Sequence, residues 1–325
     1  MSDISDKSVV RWAVCGLGSI SHAFMRAASK VENARVTACV SSSKERAEAF
    51  KQRYGLEAAY TYDEFLTSNG ADAVYVCTNM NDHVKNTVAF LKAGFPVLCE
   101  KAFALTVAEA EEMFAAARTA DKLVMEAMWT RFIPCTEKLL EVIHAGEIGK
   151  ITSMTGAMIG IFTNKKHRVF DKARGGGTML DLMVYNAAYS HFLKGAPESV
   201  SAKGVVQNGV DTDCTITLTY ADGTKALLRS SSTAKPLKFG FVIEGENGKI
   251  KIPHFHWGTG FKVFKNGRLL PKHYRFPFPD FTYEIKHFNA LLLAGATESP
   301  LMSEAVTVAV MGVLEEANRQ LGVEF

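Results

Sequence analysis

The sequence predicts an α/β domain with a parallel sheet, followed by an α+β half built on an open, mostly antiparallel sheet. The first prediction rests on apolar runs that alternate with helices of about 10–15 residues, as parallel strands covered on both faces require. The second rests on runs in which apolar and polar residues alternate, separated by Asp-Gly and Asn-Gly turns. A length of 325 residues suits two domains, which we place at 1–128 and 129–325.

The N-terminal half contains five predicted strands, and a helix follows each of the first four. The strands are expected at 9–15, 35–40, 73–77, 96–99 and 123–127, and the helices at 19–30, 43–54, 82–93 and 106–119. Strands that alternate with helices of this length specify a parallel sheet with right-handed crossovers. Ligands bind beyond the carboxyl ends of the strands in such sheets. The residues after each strand are therefore the candidate site residues.

The C-terminal half is predicted from strands at 214–220, 225–231 and 239–244 and a hairpin at 261–270 that turns at Asn266-Gly267. Helices are expected at 180–192, 281–294 and 303–321, and the last should pack back on the first domain. Few helices follow the strands, so one sheet face must be solvated or covered by a partner.

Composition excludes several classes of protein. The net charge is +3 and the basic residues are scattered, which argues against a nucleic-acid surface. No apolar run reaches the ~18 residues of a membrane span, and the polar start, residues 1–8, does not have the pattern of a signal peptide. None of the six cysteines forms a C-x-x-C pair, so buried thiols, no metal site and a cytoplasmic protein are expected. His254 and His256 lack zinc-ligand spacing.

A glycine turn after the first strand suggests a dinucleotide site. Gly16-Leu-Gly18-Ser-Ile-Ser21 differs by one residue from the Rossmann fingerprint, in which backbone N–H groups and the helix dipole hold a pyrophosphate. Gly16, Gly18, Ser19 and Ile20 are the candidate contacts. The alternative is an ordinary turn between a strand and a helix.

The end of the second strand bears on the choice of cofactor. NAD enzymes usually carry a carboxylate there for the ribose hydroxyls, whereas this chain has Ser42, Ser43, Lys44 and Arg46. Hydroxyls with a cation accept a 2′-phosphate, so NADP is favoured and NAD is the second choice. Ser43 is also a good helix N-cap, with Lys44 and Arg46 solvated, and both interpretations hold together.

Two further segments carry groups suited to catalysis. Glu100-Lys101 ends a strand at the ligand edge, where an ammonium reaches a substrate oxygen. Three glycines at 175–177 precede an apolar helix that carries Asp181 and Tyr185 four residues apart. The alternative for Tyr185 is a buried tyrosine satisfied by a neighbour.

Taken together, these motifs resemble the Gfo/Idh/MocA (glucose–fructose oxidoreductase / inositol dehydrogenase) family. Within it the sequence is most similar to dimeric dihydrodiol dehydrogenases and aldose dehydrogenases. The likeness covers nearly the whole chain. It rests on Gly16-Leu-Gly18, a T-x-x-x-x-H loop at 78–83, Cys99-Glu100-Lys101, the segment 125–132, the glycines with Asp181 and Tyr185, and Gly209-Val-Asp211-Thr212. Ala102 stands where the family signature has proline.

The resemblance implies hydride transfer between a nicotinamide cofactor and a secondary alcohol or carbonyl of a sugar, polyol or diol. Lys101, Tyr185 and Asp181 would be catalytic. The phenol would exchange the hydroxyl proton while the ammonium lowers its pKa from about 10. Thr78, Asn79, His83 and Glu100 would join Lys101 at the cofactor. Trp129, Arg131 and Phe162 would line the substrate pocket, or serve as ordinary packing.

Two expectations concern assembly and an alternative role. The family covers its open sheet by dimerising, so a homodimer through the C-terminal sheet is expected. Because a fold does not determine a function, the alternative is a catalytically silent dinucleotide or sugar sensor on the same scaffold. Retention of Lys101 and Tyr185 argues for the enzyme, and Ala102 leaves room for the sensor.

Overall fold

A computed structural model describes residues 8–325, apart from the side chains of Leu269, Pro271, Lys272 and His273. The expectation stated for the polar start, residues 1–8, falls on residues of which 1–7 lie outside the described part. The chain divides into two compact units. The first comprises Met1–Trp129 and Asp280–Val308, and the second comprises Thr130–Pro279 and Ala309–Phe325.

The first unit contains a parallel sheet, as predicted, with six strands in the order β3-β2-β1-β4-β5-β6, one strand more than the five predicted. The strands are β1 Val10–Cys15, β2 Ala34–Val40, β3 Ala58–Tyr60, β4 Ala73–Val76, β5 Val97–Glu100 and β6 Val124–Ala127. The helices between them are α1 Ser19–Ala28, α2 Lys44–Tyr54, α3 Tyr62–Leu66, α4 His83–Lys92 and α5 Val107–Ala120. The strand order reverses at β1, so the turns after β1 and β4 flank the switch point where such sheets bind ligands.

One helix belongs to a different unit from the one predicted. Helix α8 (Thr282–Leu293) was placed in the second domain, but it packs on the first sheet. The Trp12 indole N–H donates to the Asn289 side chain at 3.1 Å, and the Trp12 and Phe288 rings lie 5.0 Å apart. The last helix, α9 (Glu304–Leu321), is divided after Val308 between the two units. The prediction of 129–325 as one domain therefore differs from the structure, because these tertiary contacts cannot be read from local sequence.

The second unit contains an eight-stranded, mostly antiparallel sheet, which confirms the predicted class. Its order is β14-β13-β12-β11-β7-β10-β9-β8, with β7 and β10 parallel. The strands are β7 Ile151–Ile161, β8 Ser199–Gln207, β9 Val210–Thr219, β10 Lys225–Ser231, β11 Thr233–Gly245, β12 Gly248–Pro253, β13 Gly260–Lys265 and β14 Arg268–Arg275. The helices are α6 Pro134–His144 and α7 Val184–Lys194, and a π-helical turn, Met179–Met183, leads directly into α7.

One face of this sheet is covered and the other is open. Helix α7 packs on β7 and β10, and the Asn186 amide donates to the Ser230 hydroxyl at 3.1 Å. Along β10 the side chains alternate between buried and exposed, and Leu227 on the outer face is 50% exposed. The strand period of two therefore directs one set of residues to the core and the other set outward.

The thiols of the chain are free in the structure. All six cysteines are buried with free thiols. Among residues 8–325, no helix combines the length and apolar character that crossing a membrane would need. Within the same residues, no group of three or more His, Cys, Asp or Glu side chains is arranged to hold a metal ion.

Candidate active site

The turn between β1 and α1 has the shape that a phosphate group requires. Gly16 has φ +97°, and a Cβ there would lie 2.6 Å from the Cys77 carbonyl oxygen, so only glycine fits. A Cβ at Gly18 would meet nothing within 4 Å, and in the described residues no side chain caps α1. Ser19 and Ile20 follow at the uncapped N-terminus of α1, where backbone N–H groups stabilise a pyrophosphate. These residues fit a dinucleotide.

The end of β2 brings a guanidinium next to two hydroxyls. Nη2 of Arg46 lies 3.2 Å from Oγ of Ser41 and 3.5 Å from Oγ of Ser42. Ser43 is the N-cap of α2, and its hydroxyl accepts the Arg46 backbone N–H at 3.2 Å. Ser42 and Arg46 are exposed. The group therefore offers hydroxyl and guanidinium donors at the position where the ribose 2′ substituent is read.

Lys44 is engaged elsewhere. Its ammonium donates to the Ala59 carbonyl at 2.9 Å and to the Glu64 carboxylate at 2.7 Å. Glu64 belongs to the capping box of α3, in which Thr61 is the N-cap. Lys44 was predicted to contact the cofactor; in the structure its side chain links α2 to α3.

The loop after β4 holds two of the remaining predicted cofactor residues. Thr78 is half-buried, and its hydroxyl accepts the Asn86 amide at 3.3 Å. Asn79 is exposed next to it. Both residues follow the strand beside β1, so they lie at the ligand edge of the sheet.

His83 has a different position from its neighbours in the loop. It is 2% exposed, and its Nδ1 lies 3.1 Å from the Ala102 carbonyl oxygen and 3.3 Å from that of Phe103. Because both partners are acceptors, Nδ1 carries the proton. His83 thus holds the segment after Lys101, rather than facing open space where a cofactor binds.

Glu100 and Lys101 end β5. The buried Glu100 carboxylate accepts the Tyr75 hydroxyl at 2.5 Å and the Lys101 backbone N–H at 3.2 Å. Its side chain therefore points into the unit, although it was predicted to contact the cofactor. Lys101 is half-buried, and the peptide bond between Lys101 and Ala102 is cis.

In the second unit, a buried aspartate fixes the start of the helix that carries Tyr185. Both carboxylate oxygens of Asp211 accept the Met179 N–H, at 2.9 and 3.1 Å. A Cβ at Gly177, where φ is +117°, would lie 2.7 Å from Oδ1 of Asp211. Burial raises the pKa of Asp211 to about 6, against the opposing effect of the Met179 hydrogen bond. The glycines thus allow Asp211 to approach and cap the helix.

Asp181 and Tyr185 lie on this helical segment, each beside a residue that the sequence analysis did not assign to the site. Asp181 is 6% exposed and forms an ion pair with Arg168, whose side chain is 31% exposed. Tyr185 is half-buried, and its ring centroid lies 5.9 Å from that of His256. A buried aspartate indicates that some cation must be near it, but the sequence does not say which one.

The three predicted pocket residues have separate environments. Trp129, in the first unit, contacts Phe281 edge-on at 5.5 Å. In the second unit, the Arg131 guanidinium lies 5.5 Å from the centre of the Phe192 ring, and burial lowers the pKa of Arg131. Phe162 stacks near His167 at 4.5 Å.

The predicted residues therefore form two groups. The first unit brings together the cofactor candidates and Lys101, and the second brings together Asp181 and Tyr185, with Arg168 and His256 beside them. Pairing of Lys101 with Tyr185 stays a prediction.

The chain matches two sequence models. One, described as "Oxidoreductase family, NAD-binding Rossmann fold", matches residues 10–128, and the other, "GFO/IDH/MocA C-terminal domain", matches 136–251. A trans-1,2-dihydrobenzene-1,2-diol dehydrogenase of Xenopus laevis is 32% identical over 97% of this chain and 99% of its own length. A scyllo-inositol 2-dehydrogenase (NADP(+)) of Bacillus subtilis is 30% identical over 98% of each chain.

Solved structures share the fold. An aldose-aldose oxidoreductase from Caulobacter crescentus has a TM-score of 0.87 and 23% identity, covering 96% of this chain and 97% of its own. A 3-ketoreductase from Actinomadura kijaniata, solved with NADP, has a TM-score of 0.85 and 23% identity, covering 96% and 98%. With both parts matched by one family's models and with relatives along its whole length, the chain belongs to the Gfo/Idh/MocA family and is an NAD(P)-dependent dehydrogenase or reductase acting on CH–OH groups.

Proposed function

We propose that the protein transfers a hydride between NADP and a secondary alcohol or carbonyl carbon of a sugar, polyol or cyclic diol. The observation that carries the proposal is the half-buried phenol of Tyr185, held on a helix that Asp211 caps and flanked by the His256 ring. The relatives named for a dihydrodiol and for an inositol support the substrate class, since both names describe ring compounds with adjacent hydroxyls.

Tyr185 is the proposed acid and base. In oxidation, the substrate O–H bond breaks and its proton passes to the phenolate oxygen of Tyr185, and in reduction the phenol returns it. A nicotinamide cofactor held by the first unit would supply the acceptor for the C–H electron pair, which leaves as hydride. Lys101 is the proposed electrostatic partner, since an ammonium favours the phenolate and donates to the substrate oxygen. This pairing rests on the family resemblance and on the chemistry of the two groups.

Asp181 is proposed to orient the substrate rather than remove its proton. Its carboxylate is already paired with Arg168, which neutralises the charge and holds the carboxylate in one orientation. The Arg168 side chain is partly exposed, so it offers further N–H donors to hydroxyl oxygens.

Aromatic rings next to Tyr185 support a ring-shaped substrate. The His256 ring lies 4.2 Å from Trp257 and 5.5 Å from Phe239. Aromatic faces pack against the apolar face of a cyclic polyol, while imidazole nitrogens hydrogen-bond its hydroxyls. We propose that His256 and Trp257 form part of the substrate pocket.

NADP is proposed over NAD because of Arg46. Its guanidinium next to Ser41 and Ser42 supplies the positive charge that a 2′-phosphate needs. The Lys44 ammonium already donates to the Ala59 carbonyl and the Glu64 carboxylate, so Arg46 is the proposed contact for the 2′-phosphate.

A second copy of the chain is proposed to cover the open face of the second sheet. Leu227 lies on that face between the exposed Lys225 and Arg229. The support for a partner is that a sheet face without helices over it must be solvated or covered, and the family resemblance favours cover by a second copy.

The test is NADP(H) turnover with a panel of aldoses, inositols and cyclic diols, followed by Tyr185→Phe and Lys101→Met. We expect Tyr185→Phe to lower kcat by ~10²–10⁴-fold, the usual contribution of a general acid. The double variant should be little worse than the weaker single, because groups acting as a unit are not additive. Tyr189→Phe, one turn along the same helix, is the matched control and should retain most of the turnover.

Two results would contradict the proposal. Retention of most turnover by Tyr185→Phe would assign the proton transfer to another group. Tight NADP binding without turnover of any panel member by the unmutated protein would favour the sensor alternative.

A further inference from the structure

Three carboxyl groups lie buried in the first unit around the end of β5. Glu100, Glu126 and Glu284 are 9%, 1% and 1% exposed. Glu100 ends β5, Glu126 lies in the adjacent strand β6, and Glu284 is in the first turn of α8. Removing an ionised carboxylate from water costs several kcal/mol unless partners compensate. The partners of each group therefore indicate its charge.

The three carboxyls differ in their partners. Glu100 accepts the Tyr75 hydroxyl at 2.5 Å and the Lys101 N–H at 3.2 Å, and Glu126 accepts the Thr307 hydroxyl at 3.0 Å. Both carboxyl oxygens of Glu284 are buried and have no hydrogen-bond partner among the described residues.

Burial and neighbouring charge act together on this cluster. Burial raises the pKa of Glu284 well above its ordinary value, and the charge of Glu100 raises it further. Burial raises the pKa of Glu126 to about 7, although the Thr307 hydrogen bond and the Lys101 ammonium oppose the shift. Tyr75 on β4 has a raised pKa from burial and from Glu100, so it remains a donor.

The surrounding thiols are neutral as well. Burial raises the pKa of Cys77 and of Cys99 well above the ordinary value, and the charge of Glu100 adds to both shifts. Among the described residues, the titratable groups that interact with Glu284 or Glu100 include Tyr75 from β4, Cys77 after β4, Cys99 from β5 and Glu126 from β6, and the Lys101 ammonium acts on Glu126.

We infer that Glu284 is a positioning residue for Lys101: it remains a neutral carboxylic acid near Glu100, so that Glu100 keeps its bonds to Tyr75 and to the Lys101 backbone. If Glu284 ionised, its charge would repel that of Glu100, whose charge already raises the pKa of Glu284, and would oppose the bonds that Glu100 makes. The protonation of Glu284 does not depend on the proposed function, whereas its effect on turnover rests on it.

The first test concerns protonation and needs no turnover. Infrared spectra of the full chain at neutral pH are compared for wild type, Glu284→Gln and the control Glu111→Gln, an exposed carboxylate on α5. We expect a carbonyl stretch of a protonated carboxyl in wild type and control, weakened in Glu284→Gln. An identical band in all three proteins would overturn the inference.

Unfolding by denaturant provides the second readout. Because the folded pKa of Glu284 is raised, its contribution to stability is full below the unfolded pKa of about 4.5 and is lost as pH rises toward the folded value. The unfolding constant of wild type should therefore grow relative to that of Glu284→Gln by about tenfold per pH unit above about pH 5. The control should stay parallel to wild type. A difference in the free energy of unfolding between wild type and Glu284→Gln that does not change with pH would overturn the inference.

The third readout is the pH profile of kcat. The alkaline fall of kcat should move to higher pH in Glu284→Gln, and an unmoved profile would overturn the positioning role. If Glu284→Gln does not fold, Glu126→Gln replaces it: a protonated-carboxyl band should persist there, and its absence would overturn the inference. Protonation without turnover of any substrate would refute the proposed function alone.

Discussion

The choice of cofactor is tested most directly by replacing each of two neighbouring basic residues with glutamine in separate variants. Arg46 and Lys44 both lie in the first turn of α2, and both are exposed, but only Arg46 reaches the hydroxyls of Ser41 and Ser42. Arg46→Gln removes the guanidinium, and Lys44→Gln removes the ammonium that contacts Glu64. The pair isolates position from charge, because each variant lowers the net charge by one.

The expected loss of NADP affinity follows from the solvent exposure of Arg46. A hydrogen bond to a charged group contributes about 1.5–3 kcal/mol when shielded from water, and we take about 1–2 kcal/mol for this exposed site. Since 1.4 kcal/mol is tenfold, Arg46→Gln should raise the Kd of NADP by roughly 5–30-fold and leave that of NAD nearly unchanged. Lys44→Gln should change either value by less than about twofold.

Calorimetric titration of the unmutated protein and both variants with NADP⁺ and NAD⁺ measures the six dissociation constants. The effect of Arg46→Gln should shrink at high salt, because the interaction is exposed to screening. A stronger loss with Lys44→Gln than with Arg46→Gln would refute the reasoning. Tighter binding of NAD than of NADP by the unmutated chain would refute the cofactor proposal itself.

The remaining predictions concern the glycine turn and the open sheet. Gly18→Ala should fold with a Tm close to wild type yet bind the cofactor at least about tenfold more weakly, because its Cβ enters the open space at the N-terminus of α1. Gly16→Ala should instead lose stability, because its Cβ meets the Cys77 carbonyl. Thermal unfolding and calorimetry check both variants, and equal Tm values for the two would contradict the turn geometry. Sedimentation at micromolar concentration should show about twice the chain mass of 35.6 kDa for the unmutated protein and a smaller species for Leu227→Asp; a monomer in both would reject the interface.

The Rossmann part was predictable because its strands are continuous apolar runs and because α2 and α5 begin at the side-chain N-caps Ser43 and Thr106. Strand β3 and helix α3 were missed, since the three residues Ala58–Tyr60 and the five residues Tyr62–Leu66 are too short to show a period. The capping box of Thr61 and Glu64 was the local signal for α3.

The placement of α8 depends on contacts made far along the sequence. The Asn289 amide donates to the Asn33 carbonyl at 2.9 Å, and Asn289 also binds the Trp12 indole. No local pattern near residue 280 shows that this helix belongs to the first unit.

Site residues were predictable by position but not by orientation. Glu100 lies at the end of β5, and Lys44 and His83 lie at the starts of α2 and α4, and each side chain contacts protein groups. Glu284 looks like an ordinary acidic residue at a helix start, where carboxylates are normally solvated. Only the tertiary structure shows that it is buried.

The buried cysteines have a consequence for the chemical durability of the fold. Cys15, Cys77 and Cys99 lie at the ends of three adjacent strands of the first sheet. Burial raises the pKa of Cys15 to about 12, and those of the other two well above the ordinary value. Since the thiolate is the reactive form, these sulfur atoms resist alkylation and oxidation while the sheet is intact. They become nucleophiles only when the sheet unfolds locally, so the rate at which a thiol reagent labels them measures how often the carboxyl edge of the first sheet opens.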